Sequence, residues 1–310
     1  MENFLDLSTY HPRENSGSRS TNRLNMQASF AITKIIDMFD LNFTIVMDII
    51  DDVVFLITDE TSSKLITYQL KTINSKNNSY TLSKLIKDDV FYKLFDHIEQ
   101  LNTEIEFIYL ITNSPIKHSF KDNTTKKNSE IYVSNLDIPM KDLHEQVCIA
   151  IESNMRKNQN FEEHGLSEKF KFSLWDVTVS THYDLAKSKL TELCTQKFPY
   201  MDVKSLTALH QTLYEILIRK QSFEFELEEN INDVLPHKSY SSNELKTLIY
   251  KATSVGALTM EVIKDDYIKF NNLLEEVKWN KALADLKTKI FQFPELFDKN
   301  IQIIEEVIIS

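Results

Sequence analysis

Two polar side chains at strand spacing, with a carboxylate near them, could cut a phosphodiester. Gln69 and Lys71 are separated by one residue in Tyr68-Gln-Leu-Lys71, and Asp51-Asp52 precede the apolar run Val53-Val-Phe-Leu-Ile57. Residues i and i+2 of a strand point to one face, so Gln69 and Lys71 stand side by side. Asp52, opening the neighbouring strand, approaches them across the ladder. Asp48, just upstream, and Gln27, on a segment of helical spacing, join the candidate set. Hydrolysis with a hard divalent cation requires one or two carboxylates, a carbonyl and the substrate phosphate as ligands. It also requires a group that orients or deprotonates water, and a cation to offset the developing charge. A carboxylate, an amide and an ammonium at one sheet edge supply those parts. The plainer reading is that paired aspartates form a turn and that Gln-x-Lys lines a solvated face. Tyr68 and Leu70 mark a strand with one buried face under either reading.

Other chemistries are excluded. The 310 residues include 3 Gly, where average usage near 7% predicts roughly 22. Phosphate-cradling loops and dinucleotide fingerprints need two or three glycines close together, and Gly17, Gly165 and Gly256 are far apart. Two cysteines, Cys148 and Cys194, cannot form a four-cysteine zinc site or a disulfide framework; both are expected as core thiols. None of the 8 histidines sits in an H-E-x-x-H motif. The net charge of −11 argues against a non-specific DNA coat protein, though not against an enzyme with a local basic groove. No run of 18 apolar residues occurs, so a soluble, cytoplasmic protein without membrane contact is expected.

The elements that must hold these residues follow from periodicity. Residues 1–22 read as an irregular arm carrying Arg13 and Arg19, followed directly by Arg23. These arginines could contact DNA phosphate, or could only solvate the arm and pair with Glu14. Asn22 could cap a helix to about Phe39, with Leu24, Ala28, Ala31, Ile32, Ile35 and Ile36 at helical spacing. Phe43–Ile50, Val53–Ile57 and Leu65–Thr72 form three strands of an antiparallel meander. A helix from Thr81 to about Gln100, a strand over Glu104–Thr112, a Lys/Asn/Ser-rich loop near residues 117–129 and a short strand at Ile131–Ser134 follow. Beyond residue 140 the pattern is mostly helical: Met140–Met155, Asp184–Cys194 and Ser205–Lys220, with an alternating stretch at Phe170–Val177. Ser241-Ser-Asn-Glu244 is a capping-box signal for a further helix.

The motifs resemble a known family. Arg13-Glu-Asn-Ser-Gly-Ser-Arg-Ser-Thr-Asn-Arg-Leu-Asn-Met-Gln27, Asp51-Asp52-Val53 and Tyr68-Gln-Leu-Lys-Thr72 are similar to the CBASS-associated double-stranded-DNA endonuclease family. That family belongs to the PD-(D/E)xK, restriction-endonuclease-like superfamily. The resemblance implies Asp52 as metal-binding carboxylate, Gln69 at the (D/E) position, Lys71 as catalytic lysine and Gln27 as a first-helix residue facing the site. It implies Mg²⁺ (or Mn²⁺) as cofactor, with Asp48 or Asp51 as second carboxylate ligand; spacing leaves those two open. Two departures stand out: Leu24 and Met26 replace an aromatic pair, and Gln69 replaces an acid.

The expected organisation is an arm (1–22), a PD-(D/E)xK-like nuclease domain (23–140) with a mixed sheet flanked by helices, and a mainly helical assembly or partner-binding domain (141–310). Residues 221–310 hold sixteen Asp+Glu against ten Lys, which is −6 of the −11. The resemblance implies a DNA endonuclease in prokaryotic antiphage defence, restrained by homo-oligomerisation or by a partner such as a HerA-type hexameric ATPase. The alternative is a weakened nuclease fold serving as a DNA- or protein-binding scaffold. The chain ends in Ile303-Ile-Glu-Glu-Val-Ile-Ile-Ser310, which leaves a continuation open.

Overall fold

The computed structural model describes residues 21–257, except residues 60–61, 73–79, 102–103, 122–126, 135–136, 156–165, 179, 200 and 227–228. Arg13, Arg19 and the acidic stretch after residue 257 lie outside the described residues.

The meander forms as the alternation requires. Strands β1 (Phe43–Met47), β2 (Val53–Thr58) and β3 (Ser63–Lys71) pair antiparallel in chain order. Strand β5 (Glu104–Thr112) then lies parallel to β3, the change of direction being supplied by the crossover through β4 (Tyr80–Thr81), α2 (Leu82–Lys87) and α3 (Val90–Gln100). Thr81 caps α2 through its hydroxyl, which accepts the Lys84 N–H at 3.3 Å. The single helix expected to Gln100 is two, because Asp89 takes a left-handed conformation at φ 53°. The side chain of Asn154 donates to Ile86 O and to Asp89 Oδ1 and pins that break.

The Lys/Asn/Ser-rich loop expected near residues 117–129 is instead largely a hairpin. Strands β6 (Ile116–Lys121) and β7 (Asn128–Val133) pair from Ile116↔Val133 to Lys121↔Asn128, and with β4 they make a separate three-stranded sheet. Exposed faces put polar residues at most positions, which hides the period of two.

The main sheet has the order β10 (Ser239–Ser241), β1, β2, β3, β5, β9 (Phe170–Leu174), β8 (Ile138–Pro139). Its last members come from beyond the meander: β8, β9 parallel to β5, and β10 antiparallel to β1. The expected boundary near residue 140 therefore falls inside one sheet. The alternating stretch at Phe170–Val177 is a sheet strand because its inward residues Phe170 and Phe172 pack on Phe91.

Helices cover both faces. Val54, Leu56 and Leu65 face α2, α3 and α4 (Glu145–Met155), joined by Val234 and Leu235 of α8 (Ile231–Lys238). Val53, Phe55, Ile66, Tyr68 and Leu70 face α1 (Thr21–Asp37) and residues of α6 (His182–Lys197), α7 (Val203–Ser222) and α9 (Ser242–Ala257). Helix α1 is buried at every residue from Met26 to Thr33, between the sheet and α6 and α7. It includes Asn22, expected as its cap, within its first turn. The His182 ring bonds the Ser29 hydroxyl at 2.8 Å and ties α6 to α1. The capping box is formed: Glu244 Oε2 accepts the Ser241 N–H at 2.7 Å, and Ser241 Oγ accepts the Glu244 N–H at 3.2 Å. Cys194 is buried in the core, while Cys148 is half-buried and its thiol donates to Met140 O. Among the described residues no helix is long and apolar enough to cross a membrane.

Candidate active site

The site forms where β2 begins and β3 ends. The antiparallel register pairs Val53 with Tyr68. Continuing it by one residue sets Asp52 opposite Gln69, on the same face as Thr67 and Lys71. The chain reaches this point through a tight turn over residues 48–52, in which the Asp48 N–H donates to Asp52 O at 3.2 Å. Asp48 has φ 52°, a left-handed conformation that aspartate tolerates better than branched residues. Ile49 and Ile50 at the turn's tip are buried in the helix-covered core, which anchors it.

Asp52 is the hub and is 3% exposed. Its Oδ2 accepts the Leu70 backbone N–H at 2.6 Å and a short hydrogen bond from Gln69 Nε2. Its Oδ1 accepts from the Arg23 guanidinium at 2.7 Å. Arg23, expected to face solvent and DNA from the end of the arm, thus stands on the first turn of α1 with its charge on Asp52. The ion pair raises the Arg23 pKa further, against burial.

Lys71 lies among these groups. Burial lowers its pKa, while Asp52 and Asp51 draw it back up. Asp51 is 7% exposed; burial pushes its carboxyl up to about 8, opposed by Thr67 and raised further by Asp52. Burial raises the Asp48 carboxyl to about 6, with Lys238 opposing it. The centre therefore holds three carboxyl groups, on Asp48, Asp51 and Asp52, and three basic groups, on Arg23, Lys71 and Lys238.

Gln27 is fully buried, but its hydrogen bond goes to Gln221: its Oε1 accepts from Gln221 Nε2. Its own Nε2 has no partner among the described residues. The structure thus brings Asp48, Asp51, Asp52, Gln69, Lys71 and Arg23 together, with Gln27 bonded into the layer behind. Two residues of that layer escaped the reading from sequence. Gln221 continues the buried stripe Leu206, Leu209, Leu213, Leu217 of α7, so a polar residue at a core position was a usable signal. Lys238 carries no signal in its local sequence.

Oxygen donors of this kind suit Mg²⁺, which takes one or two carboxylates and fills its shell with phosphate and water. Among the described residues no three His, Cys, Asp or Glu groups stand close enough to hold an ion unaided. The set could hold a cation that draws its other ligands from substrate and solvent, in which case Asp52 and the Gln69 carbonyl would be the protein donors.

A mixed sheet thus carries an acid, an amide and an ammonium at the adjoining ends of two strands, a set of groups that could act on a phosphodiester. Residues 15–223 match the family described as Cap4, dsDNA endonuclease domain, and the chain belongs to that family, which implies DNA endonuclease activity. It is 38% identical to Lamassu protein LmuA of Bacillus cereus (strain VD014) over 300 residues, 96% of this chain and 82% of LmuA. A solved structure of the Acinetobacter baumannii Cap4 SAVED/CARF-domain containing receptor with the cyclic trinucleotide 2'3'3'-cAAA is also similar. It is 11% identical, with TM-score 0.42 over 74% of this chain and 44% of the receptor. The Moraxella osloensis Cap4 receptor is 12% identical, with TM-score 0.39, over 74% of this chain and 47% of the receptor. The chain spans less than half the length of these receptors.

Proposed function

We propose that this chain is a Mg²⁺- (or Mn²⁺-) dependent endonuclease of double-stranded DNA on a restriction-endonuclease-like PD-(D/E)xK core, acting as an effector in prokaryotic antiphage defence. The observation that carries this reading is Asp52, held by Gln69 and the Leu70 amide with Lys71 beside it. Asp52 would hold the cation, with the Gln69 carbonyl and Asp48 or Asp51 as further donors. When bound, the cation polarises the phosphoryl group and makes its water a better nucleophile.

The chain's own residues do the rest. The Leu70 N–H fixes the Asp52 carboxylate and Gln69 orients it, so Asp52 needs no reorganisation when charge develops. Lys71 carries an ammonium whose proton is loosened by burial, which suits it to orient a water and to stabilise a developing phosphorane charge. Arg23 offers a second cation to the phosphate face, and Arg13 and Arg19 would follow the DNA backbone from the arm. The acidic C-terminal stretch is the candidate for control, through self-association or through docking on a partner such as a HerA-type hexameric ATPase.

Plasmid cleavage with Mg²⁺, or with the cation chelated, tests the reading. Wild type cuts only with the cation, and Lys71→Ala loses roughly 10²–10³-fold in rate, as when one charge-stabilising donor is removed. Gln69 in place of an acid, and the absence of a three-acid cluster among the described residues, favour a second reading, a weakened nuclease fold that binds DNA as a scaffold. Retained DNA binding without cutting, with and without a partner, is its signature and would sink the enzyme.

A further inference from the structure

Lys238 lies beyond residue 223, where the family match ends, yet it enters the centre. Strand β10 pairs Val46 with Ser239, so the register continued by one residue brings Lys238, the last residue of α8, to the end of β1 beside Asp48. Its side chain is 1% exposed, and its Nζ stands 3.9 Å from Asp48 Oδ2. The same Nζ donates to the backbone carbonyl of Gln221 at 2.9 Å and lies 5.5 Å from the centre of the Phe225 ring. Gln221 in turn donates through its side chain to Gln27. A polar chain therefore runs from Asp48 through Lys238 and Gln221 to the centre of α1.

A buried ammonium is tolerated only when a charge or hydrogen bonds compensate it, and a well-packed apolar side chain of similar volume is often the more stable choice. One neutral carbonyl and one ring face are thin compensation. Among the described residues the remaining partner is Asp48, which neighbours Asp52.

We propose that Lys238 is a positioning residue of the nuclease centre, holding Asp48 as the second carboxylate for the divalent cation and making α8 and β10 part of that centre. The inference rests on the endonuclease reading and names Asp48, the carboxylate that Lys238 faces. Lys238 acts only through Asp48, and the outer shell around a metal ligand typically changes metal affinity or activity 10- to 100-fold.

The test is Mn²⁺ binding to the full chain without DNA, by electron paramagnetic resonance of the free ion, alongside thermal unfolding. The variants are Lys238→Met, Lys238→Gln, Asp48→Asn, Asp52→Ala and Lys238→Gln combined with Asp48→Asn. Lys238→Gln keeps a donor for the Gln221 carbonyl and removes only the charge, so it stays informative if Lys238→Met does not fold. The expected result is Mn²⁺ affinity about tenfold weaker in Lys238→Gln and in Asp48→Asn, with no further loss in the double variant, the coupling expected of groups acting as a unit. Wild-type affinity in Lys238→Gln, or losses that multiply in the double variant, overturns the inference while the Asp52-dependent site stands. If wild type binds no Mn²⁺ and Asp52→Ala changes nothing, the endonuclease reading fails and the inference falls with it.

Discussion

Two ion pairs in this molecule have nearly the same length and very different surroundings. Arg23 and Asp52 meet at 2.7 Å, with the Asp52 side chain 3% exposed. Lys117 and Glu130 meet at 2.6 Å across the β6–β7 hairpin, with the Glu130 side chain 47% exposed. In both pairs the cation is held charged: the Arg23 pKa is raised chiefly by Asp52, and the Lys117 pKa is raised and that of Glu130 lowered chiefly by the hydrogen bond between them. Distance is therefore not what separates them. Water solvates Glu130 whether or not Lys117 is near, so the pair adds little. Asp52 has no such alternative and depends on Arg23, Gln69 and the Leu70 amide. The same contrast holds for the two hairpins. β2–β3 is covered by helices on both faces and concentrates charge at one end, while β6–β7 spreads its charges over an exposed face.

Substitution at the hub tests the contrast most severely. Asp52→Ala removes the acceptor shared by three donors, abolishes metal-dependent cutting and destabilises the fold. Loss of one partner of a buried pair costs about 3–5 kcal/mol, and the partial exposure of Arg23 reduces this to about 1–3 kcal/mol. Urea unfolding with an unchanged midpoint would show that the buried pair contributes no more than the exposed one.

Asp51 gives a pH-dependent effect of intermediate size. Its carboxyl titrates near 8 in the folded chain, against an ordinary 3.8. Folding therefore favours its protonated form. The contribution to stability is complete below pH 3.8 and is lost as pH rises through 8. Asp51→Asn, which cannot ionise, raises stability at pH 9 by more than about 1 kcal/mol and changes little at pH 4. An equal change at both pH values in thermal unfolding would mean that Asp51 is not held away from water. The smallest effect is expected at the exposed pair. Lys117→Ala leaves the unfolding midpoint where it was, and a clear drop would overturn the contrast from its other side.

Much of this was legible in residue patterns. The meander follows from Phe43–Met47, Val53–Thr58 and Ser63–Lys71, whose β-branched and aromatic residues are bounded by polar turns. The juxtaposition of Gln69 and Lys71 needed only the period of a strand. The broken helix at Asp89 was not legible, because apolar spacing continues across it and aspartate, though it tolerates the left-handed region, also occurs within helices. Nor was the β6–β7 hairpin, since an exposed sheet face lacks the apolar alternation that marks a strand. Arg23 read as an arm residue because nothing local says where its side chain points; the buried carboxylate it answers lies 29 residues on.

The sequence by itself determined the chemistry available: an acid, an amide and an ammonium at the ends of neighbouring strands, with too few glycines for a phosphate cradle. Those features depend on local periodicity and residue type, which act over a few residues. Tertiary structure alone decided which charges face one another. Closure of β10 onto β1 carries Lys238 to Asp48, and the packing of α7 on α1 sets Gln221 against Gln27. Burial and the pairing of charges depend on contacts between segments about two hundred residues apart, and no local pattern encodes them.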